Sequence, residues 1–257
     1  MNVIGLIAAR MASTRFPGKP LAHICGMPMI GHVYHRARHV AGFDGVWIAT
    51  CDRDIEEYAS TIGAPAVMTR HTHERATDRI AEALPKIEEL SGKRVDIAVL
   101  VQGDEPMLVP AMLDQLVTPM RRGDVPVANL MSRIESAEEF EDANTVKVVC
   151  DRAGNALYMS REPIPSRRKY PGVVPMWKQL GLIAFERNAL LEYTNLAPTP
   201  LEEIESVDMN RLLEHGRRIL MVETSHRTTA VDTPDDLARV ETLMAGDLLT
   251  ASYAPTT

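Results

Sequence analysis

The sequence of 257 residues predicts an α/β fold built on a doubly wound, mostly parallel sheet. Short apolar runs alternate with amphipathic segments through the first half of the chain. Residues 97–101 form a continuous apolar run, as expected for a central parallel strand that is buried on both faces. In such sheets ligands bind beyond the carboxyl ends of the strands, so the loops after Ala8, Thr50 and Val101 are the expected site.

The same pattern places the individual elements in chain order. In the first half, strands are expected at residues 3–8, 46–50, 66–68 and 97–101, and helices at 29–40, 54–62, 77–90 and 110–120. In the second half, strands are expected at residues 127–131, 146–150, 156–159, 180–185 and 219–222, and helices at 200–215 and 234–244. Thr77 is a good N-cap candidate, with Asp78 favourable in the first helical turn.

The middle of the chain differs from the first half because its strands have few helices between them. We expect one domain over residues 1–248, in which about 125–215 form an added β-rich part that also suits a dimer contact. Residues 249–257 are expected to form a flexible tail.

Composition limits the classes of protein to which the chain can belong. Its net charge of -7 argues against non-specific binding to nucleic acid, which needs a broad positive surface. No apolar run approaches the ~20 residues that span a membrane, and the N-terminus lacks the features of a signal peptide. The three cysteines, Cys25, Cys51 and Cys150, are far apart and show no metal-ligand spacing. A reducing compartment, the cytoplasm, is therefore expected.

The first chemically informative motif is AARMASTRFPGKP, residues 8–20, which directly follows the first strand. It carries three cations, Arg10, Arg15 and Lys19, and a triphosphate needs several positive groups and close backbone N–H donors. A solvated loop with incidental charges is the alternative, but the position after the first strand favours a phosphate site. The loop matches neither G-x-x-x-x-G-K-[ST] nor G-x-G-x-x-G, which argues against a P-loop kinase and a nicotinamide dehydrogenase.

The motif VQGDEP, residues 101–106, ends the central strand. Gly103 permits a close approach of the backbone, and Pro106 terminates strand pairing. Asp104 is left at the carboxyl edge of the sheet, where a magnesium ligand would lie. A turn-forming aspartate is an equally good interpretation of this motif alone.

The motif AVDTPDD, residues 230–236, has the features of a helix start. Thr233 is a good N-cap, and the two acids after Pro234 favour the positive end of the helix. Asp232 lies before the cap and is not needed for it, so its carboxylate is available for a metal. Asp104 and Asp232 together could hold Mg²⁺ at a nucleotidyl-transfer site.

With several further stretches, these motifs resemble the 3-deoxy-manno-octulosonate (Kdo) cytidylyltransferase family, also called CMP-Kdo synthetases. The matching stretches are AARMASTRFPGKPL, TRHTHERATDRIAE from Thr69, VQGDEPM, NTVKVV, ALYMSR, TPLEEIE and VDTPDDL, in the family's order and spacing. The resemblance implies a nucleotide-diphospho-sugar-transferase-like fold whose β-rich part binds the acceptor and forms a homodimer. It also implies a magnesium-dependent transfer of CMP from CTP to an acidic acceptor, with release of diphosphate.

The resemblance assigns roles to individual residues. It implies that the nucleotide is bound by Ala8, Ala9, Arg10, Arg15, Lys19, Arg70, Thr77, Arg79 and Gln102. It implies that the acceptor is bound by Gln102, Arg75, Arg161, Gln179, Glu202 and Glu205. Asp104 and Asp232 would hold magnesium in catalysis. Arg10 and Lys19 would neutralise the leaving diphosphate.

The acceptor half departs from the family pattern. Where the family has His-Leu-Gly-Ile-Tyr-Gly-Tyr, this chain has QLGLIAF at residues 179–185, so Gln179 and Ile183 replace a polar His and a sugar-facing Tyr. A Gln of the family is replaced by Met209, and a Ser-Gly pair becomes Arg-Ala at 75–76. Because partners for hydroxyl groups are lost and a cation is gained, these changes favour a smaller, more anionic acceptor.

Several functions therefore remain open from the sequence. The acceptor is Kdo or a related acid, or alternatively a phosphonate such as phosphonoformate in phosphonate biosynthesis. A non-catalytic nucleotide-binding regulatory protein would tolerate the altered acceptor residues, but it has less need for both Asp104 and Asp232. A nucleotidyltransferase for another base is a further alternative, because the resemblance alone favours cytosine.

Overall fold

The structure is a computed structural model that describes residues 1–13 and 15–254. Thr14 of the first motif and residues 255–257 of the expected tail lie outside the described residues. Strands and α-helices alternate through the first half of the chain, and strands dominate the middle. The expected α/β class is therefore confirmed.

The bounds of the elements agree with most of the predicted ones. The strands are β1 Val3–Ala9, β2 His23–Ile24, β3 Met27–Pro28, β4 Gly45–Thr50, β5 Ala66–Met68, β6 Ile97–Gln102, β7 Val127–Arg133, β8 Lys147–Cys150, β9 Ala156–Ser160, β10 Trp177–Glu186 and β11 Leu220–Thr224. The α-helices are α1 Met29–Arg38, α2 Arg53–Thr61, α3 Ala76–Ser91, α4 Pro110–Met120, α5 Ala137–Glu141, α6 Arg187–Tyr193, α7 Pro200–Glu205, α8 Met209–Glu214, α9 Pro234–Met244 and α10 Leu248–Ala251. A 3-10 helix spans Lys19–Leu21. None of the helices in the described part of the chain has the length and apolar character needed to cross a bilayer.

The chain divides into two compact units, and the first contains Met1–Asp114 and Thr228–Thr257. Its four main strands are parallel and lie in the order β6-β1-β4-β5. Every residue of β1 is buried, because this apolar strand is paired on both sides. Its register places Ala8 opposite Gln102, so the loops that follow β1 and β6 begin at the same edge of the sheet.

The second unit, Gln115–Arg227, contains the part that we expected to be rich in strands. In it, β7 is parallel to β11 and antiparallel to β10. The strand β8 is antiparallel to both β9 and β10. The short helices α5 to α8 connect these strands.

Two predicted helices differ from the structure, and β2, β3, α5, α6 and α10 were not predicted from the sequence. The N-cap of α3 is Arg75, and Thr77 lies fully buried in the first turn of the helix, so the prediction of Thr77 as the cap is wrong. The helix expected over 200–215 is broken into α7 and α8, because Ser206 adopts a left-handed conformation with φ of 52°. Hydrophobic periodicity does not indicate a change of backbone conformation at a single residue.

Near the C-terminus, the short helix α10 spans Leu248–Ala251, and the flexible tail expected at 249–257 stays a prediction. The Asp247 carboxylate caps α10 by accepting a hydrogen bond from the Thr250 amide, and it pairs with Arg36 of α1. The Tyr253 hydroxyl lies 3.1 Å from the Arg36 Nε atom. These partners are more than 200 residues apart, so no local pattern indicates them.

Gly103 lies where β1 and β6 end, and a β carbon there would be 2.8 Å from the Ala8 carbonyl oxygen. Gly103→Ala should lower the free energy of unfolding by about 1–3 kcal/mol, because main chain must move to relieve the contact. Gly45→Ala is the matched control, since its β carbon would meet no atom nearer than 3.6 Å. Urea unfolding measures both, and equal stability of the two variants would contradict the close approach.

Candidate functional site

Three motifs that are far apart in the sequence meet at the ammonium group of Lys19. Its Nζ atom lies 2.7 Å from Oδ2 of Asp104 and 3.3 Å from Oδ1 of Asp232. Arg15 places its Nη2 atom 3.0 Å from the same Asp232 oxygen. The structure therefore brings together both predicted metal-binding acids and two of the three cations of the first motif.

Main-chain hydrogen bonds hold the segments that carry these side chains. The Val231 amide donates to the Asp104 carbonyl at 2.9 Å, and the Gly103 amide donates to the Ala8 carbonyl at 3.2 Å. The end of β1, the end of β6 and the segment before α9 are thus tied to one another. The positions of both aspartates depend on backbone geometry more than on flexible side chains.

A small apolar cluster includes residues that are close in sequence to Lys19, Asp104 and Asp232. Its buried members are Ile24, Met29, Val231, Val240 and Met244, with Phe16 and Met107 among the residues packed against them. Phe16 precedes Lys19 in the same loop, Met107 follows Asp104, and Val231 directly precedes Asp232. Burial of these apolar side chains therefore fixes the loops from which the charged groups extend.

The start of α9 is capped as the sequence predicted. Thr233 Oγ1 accepts from the Asp236 amide at 3.2 Å, and the Asp236 carboxylate accepts from the amides of Thr233 and Asp232 at 3.0 and 3.2 Å. The capping box therefore uses Thr233 and Asp236. The carboxylate of Asp232 is directed to Lys19 and Arg15 instead.

Arg79 of α3 organises the loop that follows β5. Its guanidinium is buried and donates to Thr69 Oγ1 at 2.6 Å and to the His73 carbonyl at 3.2 Å. Arg10, from the loop after β1, donates to the same His73 carbonyl at 3.4 Å. The third cation of the first motif therefore contacts the 69–73 loop, where the resemblance located nucleotide binding.

Glu82, one helical turn after Arg79, is the second residue that holds this loop. It accepts hydrogen bonds from the Arg70 amide at 3.2 Å and from Arg70 Nε at 3.1 Å, and it also contacts His73 Nε2. Burial favours the neutral acid, but hydrogen bonds from Lys86, His73 and Arg70 outweigh it and lower the pKa of Glu82 to about 2. Sequence reasoning missed Glu82, although its position three residues after Arg79 places both on one helix face.

The remaining predicted residues of the first unit lie at the same sheet edge or at the start of α3. Ala8 and Ala9 are at the end of β1, and Gln102 ends β6 opposite Ala8. Arg75 is the N-cap residue of α3, two residues before Thr77. The roles of these residues in nucleotide or acceptor binding stay predictions.

In the second unit, Arg161 and Glu205 bind each other and the surrounding main chain. Arg161 Nε donates to the Glu205 carbonyl at 2.7 Å, and Nη1 donates to the Ala143 carbonyl at 2.9 Å. Burial opposes ionisation of the Glu205 side chain, but hydrogen bonds from Tyr158, the Arg161 amide and Ser160 lower its pKa. These contacts describe how the two residues are held, and their predicted acceptor role stays a prediction.

Other predicted acceptor residues of this unit have structural contacts as well. Glu202 forms a buried two-pronged ion pair with Arg211, with both N···O distances at 2.6 Å. Gln179 donates to Asn129 Oδ1 at 2.8 Å. Ile183 and Met209, which replace polar residues of the family pattern, are 2% and 0% exposed. The two apolar replacements therefore belong to the packed interior.

The two aspartates beside Lys19 suit Mg²⁺ as ligands. Within residues 1–13 and 15–254, no group of three or more His, Cys, Asp or Glu side chains is arranged to hold a metal ion. Mg²⁺ needs fewer protein ligands, because it keeps several waters and binds through one or two carboxylates together with substrate phosphates. The Lys19 ammonium already lies between Asp104 and Asp232, which shows that this position favours a cation.

Comparison with known proteins identifies close relatives over most of the chain. A family profile described as Cytidylyltransferase matches residues 4–219. The chain is 42% identical over 251 residues to the 3-deoxy-manno-octulosonate cytidylyltransferase of Geobacter metallireducens, and the match covers 93% of this chain and 96% of the relative. It is 44% identical over 250 residues to the protein of the same name from Pelobacter propionicus, with the same coverage of 93% and 96%.

A solved structure supports the same relationship. The structure of a CMP:2-keto-3-deoxy-manno-octonic acid synthetase complexed with CTP matches this chain with a TM-score of 0.89 and 41% sequence identity. The match covers 96% of this chain and 100% of that chain. This match confirms the predicted nucleotide-diphospho-sugar-transferase-like α/β fold with a mostly parallel sheet.

The low pKa of Glu82 predicts a pH-dependent contribution to stability. Because the pKa falls from 4.5 to about 2 on folding, the contribution is present above pH 4.5 and is lost as the pH falls through about 2. Glu82→Gln should therefore be less stable than the original protein near neutral pH, and this difference should vanish near pH 2. Urea unfolding at several pH values measures it, with Glu89→Gln, an exposed change on the same helix, as the control.

A stability difference between Glu82→Gln and the original protein that stays constant from pH 7 to pH 2 would contradict the assigned interactions of Glu82.

Proposed function

The chain belongs to the 3-deoxy-manno-octulosonate cytidylyltransferase family, and from this premise we propose that it transfers CMP from CTP to Kdo and releases diphosphate. Family membership makes the chain a cytidylyltransferase, which confirms the enzyme class that its motifs predicted. The single observation that carries the proposal is the meeting of Lys19, Asp104 and Asp232 at the carboxyl edge of the parallel sheet. This edge is where α/β sheets bind nucleotides.

The loop after β1 supplies the positive charge for the triphosphate. Arg15 is half exposed, so its ion pair with Asp232 contributes little to stability and is readily exchanged for a phosphate contact. Lys19 is held at the sheet edge by both aspartates, and it is placed to neutralise an anionic ligand there. Arg10 extends the cationic surface toward the 69–73 loop through its contact with His73.

Asp104 and Asp232 would hold Mg²⁺ in this enzyme. When bound, the ion supplies charge neutralisation at phosphate oxygens and lowers the pKa of a hydroxyl bound beside it. The protein contributes two carboxylates whose main chain is fixed, one at the end of β6 and one before the capped start of α9. Because such groups are already in position, little energy is spent on rearranging them as charge develops in the transition state.

The reaction needs positioning and charge neutralisation more than a dedicated base. The acceptor hydroxyl loses its proton to solvent, and its oxygen forms a bond to the α-phosphorus of CTP as the bond from that phosphorus to the leaving diphosphate breaks. The negative charge that departs with diphosphate is balanced by Arg10 and Lys19 in this proposal. Phosphoryl-transfer chemistry of this kind depends mainly on alignment and electrostatics.

Kdo is favoured as the acceptor over a phosphonate. The case for a smaller acid used the replacements at Gln179, Ile183 and Met209 and the cation gained at Arg75. Of these, the side chains of Ile183 and Met209 are buried in the interior. Their replacement therefore changes packing and gives no specific support for a different acceptor. Relatives named for Kdo match more than 90% of the chain, which favours Kdo as the acceptor. A purely regulatory protein has less need for both Asp104 and Asp232 beside Lys19.

Diphosphate release from CTP in the presence of Mg²⁺ tests this function. We expect kcat/KM to be highest with Kdo, and we expect mass spectrometry to identify the product as CMP-Kdo. Phosphonoformate, other sugar acids, ATP, GTP and UTP are the comparison substrates. CTP binding without release of diphosphate for any acceptor would instead support the non-catalytic alternative.

A homodimer and a cytoplasmic location are further parts of the proposal. The dimer is expected from the family resemblance, and light scattering of the purified protein measures it. The thiols of Cys25, Cys51 and Cys150 are free, as is typical of proteins from reducing compartments.

Asp104→Asn should reduce turnover by roughly 100-fold or more, because it removes one of two carboxylate charges from the cation site. The fold should survive, since the changed atom lies in a partly exposed side chain at the end of a strand. Steady-state diphosphate release at saturating CTP and Mg²⁺ measures the effect. Asp235→Asn, an exposed acid in the motif of Asp232, is the control that should keep full activity.

Full magnesium-dependent activity of Asp104→Asn would refute the proposed role of this carboxylate.

A further inference from the structure

The helix α1 carries two buried polar side chains that the proposed chemistry does not use. His32 and Arg36 are 0% and 2% exposed. The Nε2 atom of His32 lies 2.7 Å from the Ile24 carbonyl oxygen, in the hairpin that follows the 3-10 helix of the first motif. The Nη1 atom of Arg36 donates to the Leu108 carbonyl at 3.2 Å, in the loop that follows β6. One helix therefore holds main-chain carbonyls in both loops of the site.

A hydroxyl group near the C-terminus joins these two side chains. The Tyr253 Oη atom lies 3.1 Å from His32 Nδ1, and it accepts a hydrogen bond from Arg36 Nε at 3.1 Å. Arg36 also donates to Thr250 Oγ1 at 2.9 Å and pairs with Asp247. The segment from Asp247 to Tyr253 is thus attached to α1 through the same groups that hold the site loops.

The positions of the protons in this chain of hydrogen bonds follow from its two ends. A guanidinium group can only donate and a carbonyl group can only accept, so Tyr253 accepts from Arg36 and His32 Nε2 carries a proton. Burial lowers the pKa of His32 below its usual 6.5, with a smaller contribution from the Arg36 charge, and outweighs the hydrogen bond to the Ile24 carbonyl, so the neutral ring is favoured near pH 7. His32 Nδ1 is then an acceptor, and the Tyr253 hydroxyl donates to it.

We propose that Tyr253 is a positioning residue of the nucleotidyl-transfer site, because its hydroxyl orients the two α1 side chains that hold the loops of Lys19 and Asp104. The proposal rests on the proposed function and adds to it a residue outside every recognised motif. Tyr253 has no direct contact with Lys19, Asp104 or Asp232 among its described hydrogen bonds, so it would act through His32 and Arg36. Removal of its hydroxyl should therefore alter the positions of both loops.

Tyr253→Phe removes this hydroxyl and keeps the ring. We expect kcat/KM for CTP to fall about 10-fold, because small displacements of positioned groups are costly in group transfer. Tyr34→Phe is the matched control, since Tyr34 is a buried tyrosine of α1 whose hydroxyl donates to the Gly63 carbonyl at 3.3 Å, outside both site loops. The control should keep its kcat/KM. A similar loss in both variants, or no loss in either, would overturn the proposal.

Hydrogen–deuterium exchange without substrate tests the positioning independently of activity. In Tyr253→Phe, we expect faster amide exchange in residues 19–28 and 104–109, while Tyr34→Phe should match the original protein in both segments. If the original protein transfers CMP to no acceptor, the proposed function fails but the exchange result still decides the role of Tyr253. Unchanged exchange in both segments of an active enzyme overturns the role of Tyr253 alone.

Discussion

The contact of one ammonium group with two carboxylates is the interaction on which the site depends. Asp104 and Asp232 are far apart in the sequence, and two carboxylates at one sheet edge repel each other unless a cation lies between them. Lys19 provides that cation, and only 12% of its side chain is exposed, so solvent screens the contact less than it would at the surface. In the proposed reaction, the two carboxylates would hold Mg²⁺ and the Lys19 ammonium would contact phosphate groups.

Backbone geometry makes this arrangement possible. The carboxyl ends of β1 and β6 approach so closely that a β carbon at position 103 would be 2.8 Å from the Ala8 carbonyl oxygen. A hydrogen bond from Val231 to the Asp104 carbonyl brings the segment before α9 to the same edge. The apolar cluster beside it includes Phe16 and Met107 from the two loops, so hydrophobic burial and hydrogen bonding position the charged groups together. This agrees with a reaction that depends on alignment.

Around the site, helices supply polar side chains that hold loop carbonyls. Arg79 of α3 does so for the loop after β5, and Arg36 and His32 of α1 do so for the loops after β6 and β1. Buried cationic groups are costly unless they are paired and hydrogen-bonded, and each of these two arginines has several partners. Their burial is therefore balanced by contacts that also restrict the motion of the loops.

The sequence by itself determined the strands of the parallel sheet and the start of α9. Continuous apolar runs encode buried strands, and Thr233 with Asp236 forms a cap from neighbouring residues, so both signals are local. The sequence motifs also identified Lys19, Asp104 and Asp232, which the fold brings together. Only the tertiary structure decided the break at Ser206, the burial of Ile183 and the attachment of Tyr253 to α1. These features depend on packing between residues that are distant in the chain, and periodicity carries no information about such contacts.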